Sequence, residues 1–208
     1  LEALAQHFIA SGFDLKELVR TITNSTTYQL SSIPNDYNVG DKQQFSRYYP
    51  KRLPAEVLYD AIHQVTNTKP NFGNNYPSGT RTIELKAPNQ GNYFLTIFGR
   101  PQADSACECE RSSEANLAQS LHMLNSSEIQ SKLSDDNGRA ALLAKQADRA
   151  LDDKVRELYH WFYARQPDGE ELQVALGHIN SAEEDKKRQA YEDVVWALLQ
   201  TKEFLFNH

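Results

Sequence analysis

The sequence is poor in the features that announce a familiar chemistry. Its 208 residues contain two cysteines, too few for a disulfide framework. No apolar run approaches the roughly 20 residues that a membrane-spanning helix needs. No Cys-x-x-Cys-His occurs, which excludes a conventional c-type haem attachment within these residues. The six histidines, His7, His63, His122, His160, His178 and His208, include no pair at i, i+4, so the zinc-protease pattern is missing. A Gly-x-Ser-x-Gly elbow and a phosphate-binding loop are missing too. Basic charge is also in deficit: 22 lysines and arginines against 28 acids leave a formal charge of -6. That argues against nucleic acid as the main partner, because phosphate binding wants a basic face. No fixed-period repeat is visible, nor is a secretory leader. The chain begins at Leu1, inside a segment that already reads as helix, so we expect a fragment of a larger protein.

What is present reads as an ordinary globular domain. Hydrophobic residues make up 39% and charged residues 24%, with ten tyrosines, nine phenylalanines and two tryptophans as large packing units. At this length folding buries about 70% of the surface of the unfolded chain, enough for a real core. The expectation is a single, mostly α-helical domain over 1–208, irregular, with a loop-rich middle and at most short strands. Leu1, Leu4, Ala5 and Phe8 give a first helix face, broken at Ser11-Gly12. Asp14 is a plausible N-cap for 15–23, and Pro54 opens 54–66. Thr82-Ile83-Glu84-Leu85 alternates as a short strand would, and 93–98 could be another. Ser113 can cap a helix carrying Leu117, Leu121 and Leu124; shorter helices are expected at 128–133 and 139–146. The stripes at 151–164 and 186–205 are the most regular, and Trp196, beside the Val195/Leu199 stripe, is expected to be largely buried.

The densest run of reactive side chains is Arg100 to Arg111. An apolar segment delivers the chain to Gly99 and Pro101, and Cys107-Glu108-Cys109-Glu110-Arg111 follows. The cysteine pair admits a strained, reducible disulfide, a partial site for a soft metal with His122 as a third ligand, or a thiolate favoured by Arg100 and Arg111 and opposed by Glu108 and Glu110. It also admits two small buried residues packing a tight loop. No complete metal site is expected. Arg52, Arg100 and Arg111 could grip a carboxylate, sulfate or phosphate; internal pairing with Glu56, Glu108, Glu110 or Glu114 is the commoner use of such clusters. The oxygen-rich loop of Asn35, Asp36, Asn38 and Asp41 lacks the spacing of a calcium loop and reads as turn chemistry. Phe204, Leu205 and Phe206, near the end, read as packing or as an interface.

Several motifs recur in a fixed order: Leu15-Lys16-Glu17-Leu18-Val19-Arg20, Asn24-Ser25-Thr26-Thr27-Tyr28-Gln29, Arg52-Leu53-Pro54-Ala55-Glu56, Phe98-Gly99-Arg100-Pro101, Cys107-Glu108-Cys109-Glu110-Arg111 and Leu121-His122-Met123-Leu124-Asn125. The chain closes on Trp196-Ala197-Leu198-Leu199-Gln200-Thr201-Lys202-Glu203-Phe204-Leu205. In this it resembles the planctomycete-type domain of unknown function catalogued as fifteen-fifty-three. The resemblance implies the C-terminal part of a large exported protein, periplasmic or at the cell surface. Upstream domains of the same protein would be its partners, and one of them could carry haem; no cofactor is expected in this fragment. The expected function is binding or scaffolding for a neighbouring redox or catalytic domain. The alternative is an extracytoplasmic enzyme, redox-active through Cys107 and Cys109 or acting on carbohydrate-like substrates.

Overall fold

The computed structural model describes residues 1–73, 76–85, 92–101 and 116–207. The protein is mostly α-helical, and its described residues fall into two compact units, 1–51 and 52–207.

The first unit opens with α1 (Glu2–Ala10) and α2 (Leu15–Thr23). Between them Gly12 and Phe13 both take positive φ, 72° and 65°, the left-handed turn that Gly adopts without cost. Asp14 caps α2, its carboxylate accepting from the Lys16 amide at 2.8 Å and the Glu17 amide at 3.2 Å. Residues 24–50 hold themselves by local turns. Asn35 Oδ1 accepts from the amides of Tyr37 and Asn38. Asp41 accepts from the Ser46 hydroxyl and the amides of Gln43, Gln44 and Ser46. The Ser46 hydroxyl first, then those amides, hold the Asp41 carboxyl well below its ordinary pKa. These oxygens are spent on turns, as the loop chemistry predicts. No residue of 1–50 is buried.

The second unit holds the core. Leu53 donates its amide to the Leu205 carbonyl at 3.0 Å, beside a sheet of two two-residue strands, β1 (Lys51–Arg52) and β2 (Phe206–Asn207). Then come α3 (Ala55–Thr66), ended by a left-handed Asn67, and α4 (Tyr93–Ile97), closed by Gly99 at φ 82°. The helices α5 (Leu117–Asn125), α6 (Ser127–Leu133) and α7 (Arg139–Lys145) follow. Next are α8 (Leu151–Tyr163), α9 (Gly169–Ser181), α10 (Lys187–Leu199) and the short α11 (Lys202–Leu205). Leu58, Ile62, Phe94, Leu95, Ile129, Leu143, Leu158, Val195 and Leu199 are all buried to within 2%. Tyr191, Val194, Val195, Leu198 and Leu199 are buried together on α10, the stripe their i, i+3, i+4 spacing dictates.

Four local expectations are corrected. The alternating 82–85 segment is a 3-10 turn, Thr82–Glu84, because the Asp60 carboxylate takes the Thr82 amide at 2.7 Å and Glu84 takes the Arg81 amide. The apolar run expected as a strand at 93–98 is helical, since Asn92 Oδ1 caps the Leu95 amide at 3.1 Å. The cap of α5 is Asn116, paired reciprocally with Gln119; Ser113 lies outside the described residues. The single helix expected over 186–205 breaks at Gln200, where the Thr201 hydroxyl starts a new cap on the Phe204 amide. No helix among the described residues is long and apolar enough to cross a membrane.

Candidate functional site

Arg52 and Arg100 converge on the turn that ends α4. Arg100 Nη2 donates to the Leu85 carbonyl at 3.3 Å, and its Nε stands 3.6 Å from Glu56 Oε1. Arg52 donates to the Phe98 carbonyl at 3.1 Å, bonds the Gln119 side chain, and lies over the Phe98 ring. Gln119 completes the set by donating to the Ile97 carbonyl at 2.8 Å. A helix end leaves carbonyls without intrahelical partners, and these side chains supply donors for them. Cys107, Glu108, Cys109, Glu110 and Arg111 lie outside the described residues.

Next to this turn is a polar seam that motif reading did not find. Tyr59 of α3 donates its hydroxyl to Glu128 Oε1 of α6 at 2.8 Å and accepts from Asn92 Nδ2 at 3.0 Å. Lys132, one turn after Glu128, donates to the same carboxylate at 3.3 Å and sits over the Tyr59 ring. His122 Nε2 of α5 is 3.3 Å from Glu128 Oε2. Aromatic rings wall the seam: Phe94 stacks on Phe98 with centroids 4.1 Å apart and meets Tyr59 and His122 edgewise or tilted.

The electrostatics follow from burial. Burial opposes the Glu128 carboxylate, but Lys132, the Tyr59 hydroxyl and His122 outweigh it and hold its pKa below the ordinary value. Burial lowers the Lys132 ammonium despite Glu128. Burial first, then Glu128, push the Tyr59 phenol upward, the direction that keeps it a hydrogen-bond donor and unsuits it as a base. His63, one turn beyond Tyr59, falls to about 3 through burial and then Lys132. Its tautomer follows from a chain of hydroxyls. Thr66 donates to the Ile62 carbonyl at 2.7 Å, so the 2.9 Å Thr66–Thr68 contact uses the Thr68 proton. The 2.8 Å contact from His63 Nδ1 to Thr68 then carries the imidazole proton, leaving Nε2 a buried acceptor without a partner among the described residues.

The third feature is open. Between α9 and α10 runs a groove of about 590 Å³. Val174, Trp196 and Ala197 supply its apolar surface, with Tyr159 and Leu198 beneath. The exposed carboxylates of Asp168, Glu170 and Asp193 line it as well. His178 of α9 reaches Asp193 of α10 at 3.0 Å, with each side chain about half exposed. Trp196 is partly buried and packs against the core, in keeping with the sequence expectation, and its remaining exposed surface lines the groove. Arg165 anchors one end, paired with Glu171 and Glu203 at 2.7 Å each and stacked on Tyr163.

Residues 1–179 match the PSD1 family model, described as a protein of unknown function (DUF1553). The chain belongs to this family. No curated protein and no solved structure matches it. Within this PSD1 chain the match contains the whole seam and all but the last two residues of α9, whereas α10 lies beyond it. The seam can order a hydrogen-bonded interior. The groove can hold an apolar side chain under acidic groups. No group of three or more His, Cys, Asp or Glu side chains among the described residues could hold a metal ion.

Proposed function

We propose that the chain is a binding module that holds a basic, amphipathic segment of a neighbouring domain in the α9–α10 groove. One observation carries this: an apolar surface that includes the partly exposed Trp196 lines the same groove as the carboxylates of Asp168, Glu170 and Asp193. Apolar surface left exposed beneath charged groups is the signature of a docking site. Glu170 makes no ion pair among the described residues, and the chain's net charge of -6 adds to the attraction for a cationic partner. The engagement of Arg52 and Arg100 with protein groups supports a scaffold over an anion-processing enzyme. Family resemblance extends the proposal to an exported, multidomain protein whose neighbouring domain is redox-active or catalytic, with any haem on that neighbour.

Calorimetric titration with two amphipathic helical peptides tests this, one built of leucine and lysine, the other of leucine and glutamate. The lysine peptide should bind in the micromolar range and the glutamate peptide should not. Trp196→Ala should weaken binding roughly tenfold, as removal of a central aromatic anchor does, and Glu170→Lys with Asp193→Lys should abolish the preference. Equal binding of both peptides, or unchanged binding by Trp196→Ala, would sink the proposal.

A further inference from the structure

A second concavity, of about 780 Å³, lies on the second unit at the C-terminal end of α3, the turn before α7 and the outer face of α8. Its walls differ in kind from the groove. Trp161 presents an indole that is 44% exposed. Around it stand the side chains of Gln64, Asn67, Lys69, Asp135 and Asn137.

The construction is rigid. Arg139 is almost fully buried and donates to the Val65 carbonyl at 2.6 Å and the Gln64 carbonyl at 3.2 Å. Its guanidinium stacks on Trp161 at 4.0 Å from the centroid, which fixes the indole in one orientation. Asn67, in the left-handed conformation, donates to the Asn137 carbonyl at 2.9 Å and ties the end of α3 to the opposite wall. The 135–138 turn is set by Asp135 Oδ1 accepting the Asn137 amide at 2.8 Å. A Cβ at Gly138 would stand 3.0 Å from the Asp135 carbonyl, so a side chain there would make that turn give by a few tenths of an ångström.

The side chains facing outward are spare. Gln64, Lys69 and Asn137 make no side-chain hydrogen bond among the described residues, and Asp135 keeps one carboxylate oxygen free. The charges nearly cancel. The Arg139 guanidinium is spent on two carbonyls and Glu157, which leaves Lys69 facing Asp135. A fixed, half-exposed indole with amide donors and acceptors, one carboxylate and little net charge matches a polyhydroxylated ring. The apolar C–H face of a pyranose lies on an aromatic surface, while its hydroxyls each need a donor and an acceptor nearby. An anion would want the free guanidinium that this cleft lacks.

We propose that this cleft binds a neutral sugar unit, with Trp161 as the platform and Asn137, Gln64 and Asp135 reading its hydroxyls. The site is separate from the α9–α10 groove and stands or falls without it.

Calorimetry on the whole chain tests this with glucose-, mannose-, galactose- and xylose-based hexasaccharides, alongside inorganic phosphate and a sulfated galactose oligosaccharide. At least one neutral hexasaccharide should bind with a Kd of about 0.1–1 mM, the range open to a shallow preformed site. Trp161→Ala should weaken that binding at least tenfold. Because that variant uncovers Arg139, Asn137→Ala is the second probe: it keeps the backbone contacts, should leave the melting temperature unchanged, and should weaken binding severalfold. Silence with all four neutral hexasaccharides overturns the proposal. So does tighter binding of phosphate or the sulfated sugar, or binding that neither substitution changes.

Discussion

The polar seam and the α9–α10 groove use the same three ingredients: a carboxylate, a histidine and a large aromatic. In the seam these are Glu128, His122 and Tyr59, brought from three helices, with Lys132 enclosed beside them. In the groove they are Asp193, His178 and Trp196, set on the facing surfaces of two helices. Burial separates their fates. Inside, the loss of water makes every unmade hydrogen bond costly, so the groups lock one another into a single arrangement. At the surface the same pair is screened and free to be exchanged for a partner's groups. Identical chemistry is architecture in one place and an available contact in the other.

The contrast is sharpest in the response to truncation. Phe94→Ala, which removes the fully buried ring between Tyr59, Phe98 and His122, should cost about 3–5 kcal/mol in urea unfolding. Glu128→Ala leaves the buried Lys132 without its counter-charge and should cost about 3 kcal/mol; a loss below about 1 kcal/mol would mean that water reaches the seam. Acid should act on the interior next. Folded His63 titrates near 3, so between the unfolded value of about 6.5 and that point only the unfolded chain takes the proton. His63 therefore contributes stability that is complete above about pH 6.5 and drains as pH falls, by roughly 2 kcal/mol at pH 5. Glu128, also lowered, adds loss in the same direction at lower pH. His63→Gln should flatten the slope between pH 7 and 5, and an unchanged slope would assign it elsewhere. On the groove side, Trp196→Ala should cost only about 1–2 kcal/mol, since the ring is partly solvated already. His178→Ala should stay within about 0.5 kcal/mol. A larger cost there would erase the distinction between the two regions.

The helices that sequence reading locates best include α3, α8 and above all α10, whose stripes face one continuous core; α2 is located by its Asp14 cap and its apolar spacing, although none of its residues is buried. Short elements escape it for physical reasons. Five residues of α4 are too few to show a period, and their helical state depends on the Asn92 cap. Thr82 to Glu84 is decided by Asp60, twenty-two residues away in sequence. Arg52 and Arg100 are read from the sequence, together with Arg111, as candidate anion-binding residues; that the first two meet at one turn is not legible there, because their partners include backbone carbonyls, which no side-chain motif encodes. The seam escapes because its members run from Tyr59 to Lys132. Only the one-turn spacings Tyr59/His63 and Glu128/Lys132 hint at it, and such spacings are commonplace on helices. Trp196 packs against the core as expected, but a stripe gives the direction of a side chain and not the groove that its remaining exposed surface lines.

Arg165 has a mechanical consequence. Its guanidinium grips Glu171 at the start of α9 and Glu203 on α11, two oxygens from each. The two acids are far apart in sequence, so the arginine acts as a non-covalent crosslink across a long loop of chain. Tension applied to the final residues would pass through this fork into α9 as well as along the backbone turn at Gln200. The stiffness of the groove wall would then be set by an ion pair, softening with added salt while the helices themselves keep their shape.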